Sequence, residues 1–318
     1  MKHIFILNPA AGKGKDLDRF EQRLRAVAQE NGIAYEIYHT VGVGDACRFV
    51  REACLQTREV LRFYACGGDG TVNEVVSGAL GAENAEVAIL PIGTGNDFVR
   101  VLGKYEDFLD VEALLKAEAI PFDVMKWNDH YCVNMMNIGF DGEVAARASR
   151  AKHYVPSGLA YICGVAGEFF KMSSVKFHCV MDGKDLGEKK VQISLYANGS
   201  FCGGGFRSAP YADLHDGLMD VCFIRPVSRL TLIRLIGSYK KGTHMLHKDA
   251  AKYFEYYKCS EVKLTFEKPQ RVCIDGEIEE CETLHISMLR DAVRIVMPKG
   301  AVSPYEKISD SDLVRSLV

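Results

Sequence analysis

The sequence lacks an apolar run long enough to cross a bilayer. The apolar stretch Leu159–Gly167 stops at Glu168, whereas a spanning helix needs about 20 such residues. Near the start, Ile4–Leu7 gives way to Asn8-Pro9, too short for the apolar region of a signal peptide. An excess of positive charge is missing as well. The formal net charge is -3 and no basic stripe spans a whole domain, so nucleic acid is not an expected partner. Paired cysteine spacing is also absent: the 11 cysteines are odd in number, scattered, and include no Cys-x-x-Cys. Most sit in apolar runs, where a free thiol acts as a small hydrophobe. These absences point to a cytosolic protein with reduced thiols in its core.

What is present is a soluble chain with enough apolar mass for two domains. Of its 318 residues, 48% are hydrophobic and 25% charged, the balance of a globular protein. The first third alternates strand and helix. Strands are expected at His3–Leu7, Ile33–Tyr38, Val60–Cys66 and Val87–Leu90. Helices follow from Leu17, Phe20, Leu24, Val27 and Ala28 at helical spacing, from Asp45 onward, and over Thr71–Leu80. That alternation predicts a parallel sheet with helices on both faces.

From Asp123 onward strand-like runs dominate: Tyr131–Asn137, Val175–Met181, Val191–Ala197, Met219–Ile224, Glu261–Phe266, Arg271–Ile274, Thr283–Met288 and Val293–Met297. They predict an antiparallel sandwich or barrel, interrupted by helices near Leu159–Lys171 and Arg229–His247. Ser309, three residues before Asp312, marks the start of a short C-terminal helix. The expected organisation is an α/β nucleotide-binding domain over 1–122 and a β-sandwich substrate domain over 123–300. The segment 301–318 is expected to pack back on the first domain.

Three polar, glycine-rich turns follow the expected strands: Asn8–Lys15, Gly67–Glu74 and Pro91–Asp97. In a parallel sheet such loops share the carboxyl edge and line one crevice. Gly67-Gly68-Asp69-Gly70-Thr71 also opens a helix, whose first amides and positive dipole end suit a phosphate. Asp69 beside an anion site makes sense only with a bridging cation, and Mg²⁺ is the hard cation suited to oxygen ligands and phosphate. Neither a Walker A loop nor a dinucleotide fingerprint is present around Lys13 and Lys15. Two acidic turns follow downstream. Asp275-Gly276 sits between two strands and reads as a hairpin turn. Asp213–Asp220 gathers acidic oxygens around Gly217 and suits either a turn or a hard cation.

In order along the chain, NPAAGKGK, GGDGTVNEV, PIGTGNDF and CIDGE resemble the soluble bacterial diacylglycerol kinase and sphingosine kinase family of lipid kinases. The resemblance covers nearly the whole chain. It implies an NAD-kinase-like α/β domain followed by a β-sandwich, with ATP held between them. It implies ATP contacts from Asn8, Gly12, Thr40, Gly68, Asp69, Gly70, Thr71, Asn73, Glu74, Thr94, Asn96 and Asp97. It places a general base in the CIDGE turn, at Glu277 or Asp275, which the spacing leaves open. It also implies a structural Mg²⁺ at Asp216 with Asp213 and Leu218.

The expected activity is transfer of the γ-phosphate of ATP to a lipid hydroxyl, with diacylglycerol the first substrate to try. NAD or small-polyol phosphorylation, and a non-catalytic nucleotide-binding role, are the alternatives. Arg229, Arg234, Lys240, Lys241, Lys248 and Lys252, with Met245 and Leu246 among them, suggest transient contact with the inner face of the membrane. Each such cation contributes about 1 kcal/mol at an anionic surface. A solvated helix face is the bland alternative. Tyr154–Phe170 reads either as core or as an acyl pocket, and the sequence leaves a homodimer open.

Overall fold

A computed structural model of the chain describes residues 1–11, 17–140, 142–144, 147, 167–169, 171–246 and 250–301. Gly12, Lys248, most of the stretch 154–170 and the chain beyond 301 lie outside the described residues, and so do the expectations placed on them. Among the described residues the chain divides into two compact units, one of residues 1–124 with 290–301 and the other of residues 125–289.

In the first unit the elements run β1 (Lys2–Leu7), α1 (Leu17–Glu30), β2 (Tyr35–His39), α2 (Asp45–Gln56), β3 (Leu61–Gly67), α3 (Asp69–Ala79), β4 (Ala85–Pro91), α4 (Asp97–Leu102), a 3₁₀ turn (Tyr105–Leu109) and α5 (Val111–Lys116). The four strands are parallel in the order β2-β1-β3-β4. Every residue of β3 is buried, as expected of a strand covered on both faces. Phe5, Leu7, Tyr64, Cys66, Ala88 and Leu90 meet Leu24 of α1 and Leu114 of α5 on one face. The alternate residues Ile4, Ile6, Phe63 and Ala65 are buried on the other. There α2 and α3 lie so close that a side chain on Gly78 would meet Cys47 and Val50.

This strand order reverses direction at β1: β2 lies on one side of it and β3 on the other. Loops leaving the carboxyl ends of β1 and β3 therefore diverge, which opens a crevice at the switch point of the sheet. α4, the 3₁₀ turn and α5 are short elements that the sequence reading did not anticipate.

The second unit contains the rest of β5 (Glu118–Trp127), β6 (His130–Cys132), β7 (Met135–Gly139), β8 (Val175–Met181), β9 (Lys184–Val191), β10 (Ile193–Ala197), β11 (Met219–Ile224), α6 (Arg229–Lys241), β12 (Phe254–Cys259), β13 (Glu261–Ile274) and most of β14 (Glu277–Met297). Its strand pairs are antiparallel: β12, β11, β10, β7, β13 and β14 follow in order, with β8 on β13 and β9 on β8. β13 is the coupling element. Val262–Phe266 pair with β8 and Val272–Ile274 with β7, and its register with β14 shifts between Thr265 and Gln270. One strand thereby serves both layers of a sandwich.

The main core, including Phe177, Tyr196, Phe223, Val262 and Ile286, lies between those layers. A second core, with Leu195, Cys222 and Tyr256, is covered by Leu235 and Tyr239 of α6. The all-buried patterns of β7, β10 and β11 follow from being covered twice.

The expected strand Tyr131–Asn137 is two, β6 and β7, and other expectations differ as well. The runs Glu261–Phe266 and Arg271–Ile274 are one strand, and Thr283–Met288 and Val293–Met297 are parts of another. Glu267, Lys268 and Pro269 between the first pair are exposed, and between the second pair Asp291 takes φ 48° within the strand. The helix expected over Arg229–His247 ends at Lys241. Gly242 adopts φ 74° there, its amide returns to Tyr239 and Ser238, and the Thr243 amide donates to the Ser238 carbonyl at 2.9 Å. Such a left-handed glycine cap stops a helix whatever the apolar pattern beyond it. The ten described cysteines are free thiols, six of them buried.

Candidate functional site

The loop after β1 turns at Asn8. Its Oδ1 accepts the Ala10 amide at 2.9 Å, and its Nδ2 donates to Thr71 Oγ1 at 3.0 Å. This bond ties the first loop to the start of α3. Thr40 follows β2, with its amide donating to the Leu7 carbonyl at 2.9 Å. Between these turns lies a cavity of about 310 Å³ bordered by Asn8, Thr40, Thr71 and Glu74, together with Pro9, Ala10, Val41, Gly42, Val43 and Ala46. That volume is at the lower end for a small-molecule site. It occupies the switch point. Four residues singled out in the sequence are thus brought together. Val41 and Val43, 88% and 95% exposed, carried no sequence signal, because apolar loop residues flanked by glycine look like ordinary turn filler.

Glu74 has a position the sequence did not reveal. From α3 its Oε1 accepts the Gly44 amide at 2.8 Å and its Oε2 the Ala46 amide at 3.1 Å. It therefore caps the start of α2 in place of Gly44, which has no capping side chain. Asp69 does the same for α4: Oδ2 accepts the Asp97 amide at 3.0 Å and Oδ1 the Phe98 amide at 3.2 Å. Both carboxylates sit at the phosphate-type turn, and both are already engaged by helix starts.

The third loop closes onto the second. The Gly93 amide donates to the Gly67 carbonyl at 3.0 Å, and Asn96, at φ 61°, donates from Nδ2 to the Gly93 carbonyl at 2.8 Å. A side chain on Gly93 would fall inside the backbone of Gly67 and Gly68. Thr94 is exposed beside it and Asp97 is buried, with Arg100 Nε 3.3 Å from its Oδ1. Asn73 accepts from Ser77 Oγ at 3.4 Å. Gly68 is the N-cap of α3 and offers no side-chain cap, which leaves that helix start without one from its own N-cap. Gly70 stands in the first turn of the same helix.

In the second unit, Asp275 and Gly276 form a two-residue hairpin turn between β13 and β14, with φ 45° and 98°. Two left-handed residues at those positions match a type I′ turn. The Asp275 carboxylate is fully occupied: Oδ2 accepts the Val133 amide at 2.7 Å, and Oδ1 accepts the Asn134 amide at 3.1 Å, the Met135 amide at 2.9 Å and the Cys132 thiol at 3.2 Å. Burial, and then this neighbouring carboxylate, push the Cys132 thiol well above its ordinary pKa. Glu277 differs. It is exposed and its side chain has no hydrogen bond or ion pair among the described residues.

The Asp213–Asp220 turn is organised around an ammonium group. Asp216 accepts the Leu218 amide at 2.9 Å on Oδ1, and Lys258 Nζ donates to its Oδ2 at 2.7 Å. Lys258 also donates to the Tyr211 carbonyl at 3.0 Å and stands 3.2 Å from Asp220 Oδ2. Burial raises the Asp220 carboxyl to about 7, although Lys258 and the Tyr256 hydroxyl oppose that shift. Burial works against the charge on Lys258, but the two carboxylates outweigh it and its pKa is raised. Asp213 accepts the His215 amide at 3.2 Å.

Lys258 supplies positive charge between Asp216 and Asp220 in this turn. Among the described residues no group of three or more His, Cys, Asp or Glu side chains forms a candidate metal site. Nor is any helix among them long and apolar enough to cross a membrane.

Comparison with known proteins agrees with this two-part construction. Residues 2–127 match the diacylglycerol kinase catalytic domain, and residues 134–297 match the YegS C-terminal NAD kinase beta sandwich-like domain. A protein named "Probable lipid kinase YegS-like" from Alcanivorax borkumensis is 32% identical over 81% of this chain and 85% of its own. A diacylglycerol kinase from Bacillus subtilis is 28% identical over 92% of this chain and 95% of its own. Among solved structures, a diacylglycerol kinase from Bacillus anthracis superposes with a TM-score of 0.69 at 22% identity, covering 95% of this chain and 98% of that one. An NAD kinase from Archaeoglobus fulgidus, solved with ATP, gives 0.51 at 11% identity over 100% of both chains. The fold is of the NAD-kinase-like class. Within that class, the chain belongs to the diacylglycerol kinase and YegS-like family of lipid kinases.

Proposed function

We propose that this protein transfers the γ-phosphate of ATP, supplied as its magnesium complex, to the hydroxyl of a lipid, with diacylglycerol the leading candidate acceptor. The observation that carries the reading is the contrast within the CIDGE turn. Asp275 is spent on holding residues 132–135, whereas the Glu277 carboxylate has no partner among the described residues. A general base must have a lone pair available to the proton it takes.

Glu277 accepts the hydroxyl proton as the lipid oxygen forms its bond to the γ-phosphorus. The bond from that phosphorus to the β,γ-bridging oxygen breaks, and ADP leaves with the electron pair. Unit 1 holds the nucleotide, through Asn8, Thr40 and Thr71 around the switch-point cavity and the amides at the start of α3. Positioning and charge stabilisation dominate phosphoryl transfer, and magnesium bound to the nucleotide spreads the developing charge. Asp69 and Glu74 act by fixing the helix starts around that cavity.

The test is purified protein with labelled ATP, Mg²⁺ and mixed micelles of diacylglycerol, with a total lipid extract and NAD as parallel acceptors. Labelled phosphatidic acid from wild type, and its loss in Glu277→Gln, is the expected result. Label on NAD alone would replace the lipid reading, and full activity in Glu277→Gln would remove Glu277 as the base.

A further inference from the structure

α6 buries only one side. Leu235 and Tyr239 are 5% and 8% exposed and pack into the second core, whereas Leu230, Ile233 and Ile236 are 80%, 59% and 42% exposed. At 100° per residue, Leu230, Ile233 and Gly237 fall along the middle of the outward face, with Ile236 at its margin. Arg234 and Lys241 fall along one border of this strip and Arg229 and Lys240 along the other, and all four are exposed. Arg229 also donates to the Phe169 carbonyl at 3.1 Å, and Lys240 lies 5.6 Å from the Phe206 ring centroid, so both bases are anchored near the helix. Leu246, 53% exposed, extends the apolar surface just past the helix end. From Val221 to Lys248 the sequence contains no Asp or Glu.

An outward apolar strip bordered by cations on both sides, without an acid in the segment, has few physical uses. A second copy of the chain docking here about a twofold axis would bring the rows of Arg and Lys together, and three apolar side chains fall far short of a stable dimer interface of roughly 800 Å² per partner. A negatively charged bilayer satisfies both parts. Leu230 and Ile233 enter the acyl boundary, with Ile236 beside them at the margin, while the flanking cations reach lipid phosphates, the two signals that reversible membrane attachment requires.

We propose that the outer face of α6 is a docking surface for anionic lipid bilayers. The chemistry of the helix carries this proposal, and its purpose rests on the lipid-kinase reading, since the acceptor of such an enzyme resides in a membrane.

The experiment is vesicle co-sedimentation of the full chain without nucleotide, comparing phosphatidylcholine vesicles with vesicles containing phosphatidylglycerol. Wild type is expected to sediment with the anionic vesicles and to be released by high salt. Leu230→Ser/Ile233→Ser and, separately, Arg234→Glu/Lys241→Glu are expected to weaken binding by at least about tenfold. Both pairs lie on the exposed face, and circular dichroism checks that they fold. Turnover of a short-chain, water-dispersed acceptor is expected to stay unchanged in both, so a docking failure is distinguishable from a failure of the kinase reading. Vesicle binding equal to wild type in both variants overturns the proposal. So does a wild-type dimer that Leu230→Ser/Ile233→Ser converts to monomer, which would assign the strip to self-association.

Discussion

Asp69, the first residue of α3, accepts the amide of Asp97, the first residue of α4, at 3.0 Å, and its other oxygen takes the Phe98 amide at 3.2 Å. The acidic residue of the phosphate-type turn therefore holds the third loop in place. Asp69→Ala should lower stability by about 1–2 kcal/mol, the usual value of a lost helix cap. It should also raise the KM for ATP, because the loop of Gly93–Asn96 loses its anchor. Thermal denaturation and initial rates over a range of ATP separate the two effects.

Asp275 and Glu277 should separate in the same way. Asp275→Ala leaves the amides of Val133, Asn134 and Met135 without their acceptor, a loss of about 2–3 kcal/mol on the scale of buried donors left unpaired. Glu277→Gln touches no such bond and should leave the melting temperature unchanged. Its turnover should fall by about 10²–10⁴, the usual contribution of a general base. Equal melting temperatures for Asp275→Ala and wild type would show that the clamp is not needed.

Gly93→Ala should disturb the packing of the turns that follow β3 and β4. Its added methyl meets the Gly67-Gly68 backbone, and backbone cannot move aside as a flexible side chain can. Overpacking of this kind costs about 1–3 kcal/mol. The variant should also bind ATP more weakly, which isothermal titration would measure, whereas Gly81→Ala, with open space around it but φ 76°, should affect stability alone.

Lys258→Met should destabilise the second unit by about 3 kcal/mol, because it leaves the Asp216 and Asp220 carboxylates without their cation. Wild-type stability should not respond to EDTA. A melting temperature that falls with chelator would show that an ion, and not the ammonium alone, balances this turn.

Two buried histidines predict loss of stability in acid. Burial holds His3 at about 4 and His244 at about 3. Neither ring nitrogen of His244 has a partner among the described residues, and its ring lies near Tyr239 and Phe254. In the folded protein both stay neutral, while in the unfolded chain they take up protons near 6.5. Their stabilising contribution is complete above that value and is lost as pH falls toward 4 for His3 and 3 for His244. The slope is about 1.4 kcal/mol per pH unit for each group. His244→Phe should flatten that slope, raising the melting temperature at pH 5 relative to wild type more than at pH 8.

Much of the fold was legible because its signals are local. β1, β3 and β11 are mostly apolar runs, α2 begins where Asp45 announces it, and Asp275-Gly276 forms the hairpin turn its two residues favour. β9 was not legible: Lys184–Val191 is largely charged, and it is a strand because β8 pairs with it. β13 read as two strands because Glu267, Lys268 and Pro269 are exposed and break the apolar pattern, and its pairing with β14 resumes only at Gln270.

From its own order of residues the chain determined a parallel nucleotide-type unit, a β-rich second unit, three glycine turns and two acidic ones. Backbone preference and apolar period act within a few residues, so they can be read without a partner. Tertiary structure alone decided what each acid does. Asp69, Glu74 and Asp275 became caps and clamps because helix starts and loop amides from distant parts of the chain come to them. Glu277 has no side-chain partner among the described residues, and Lys258 came to lie between Asp216 and Asp220. A carboxylate looks the same in every sequence; which donors surround it depends on contacts between residues dozens of positions apart.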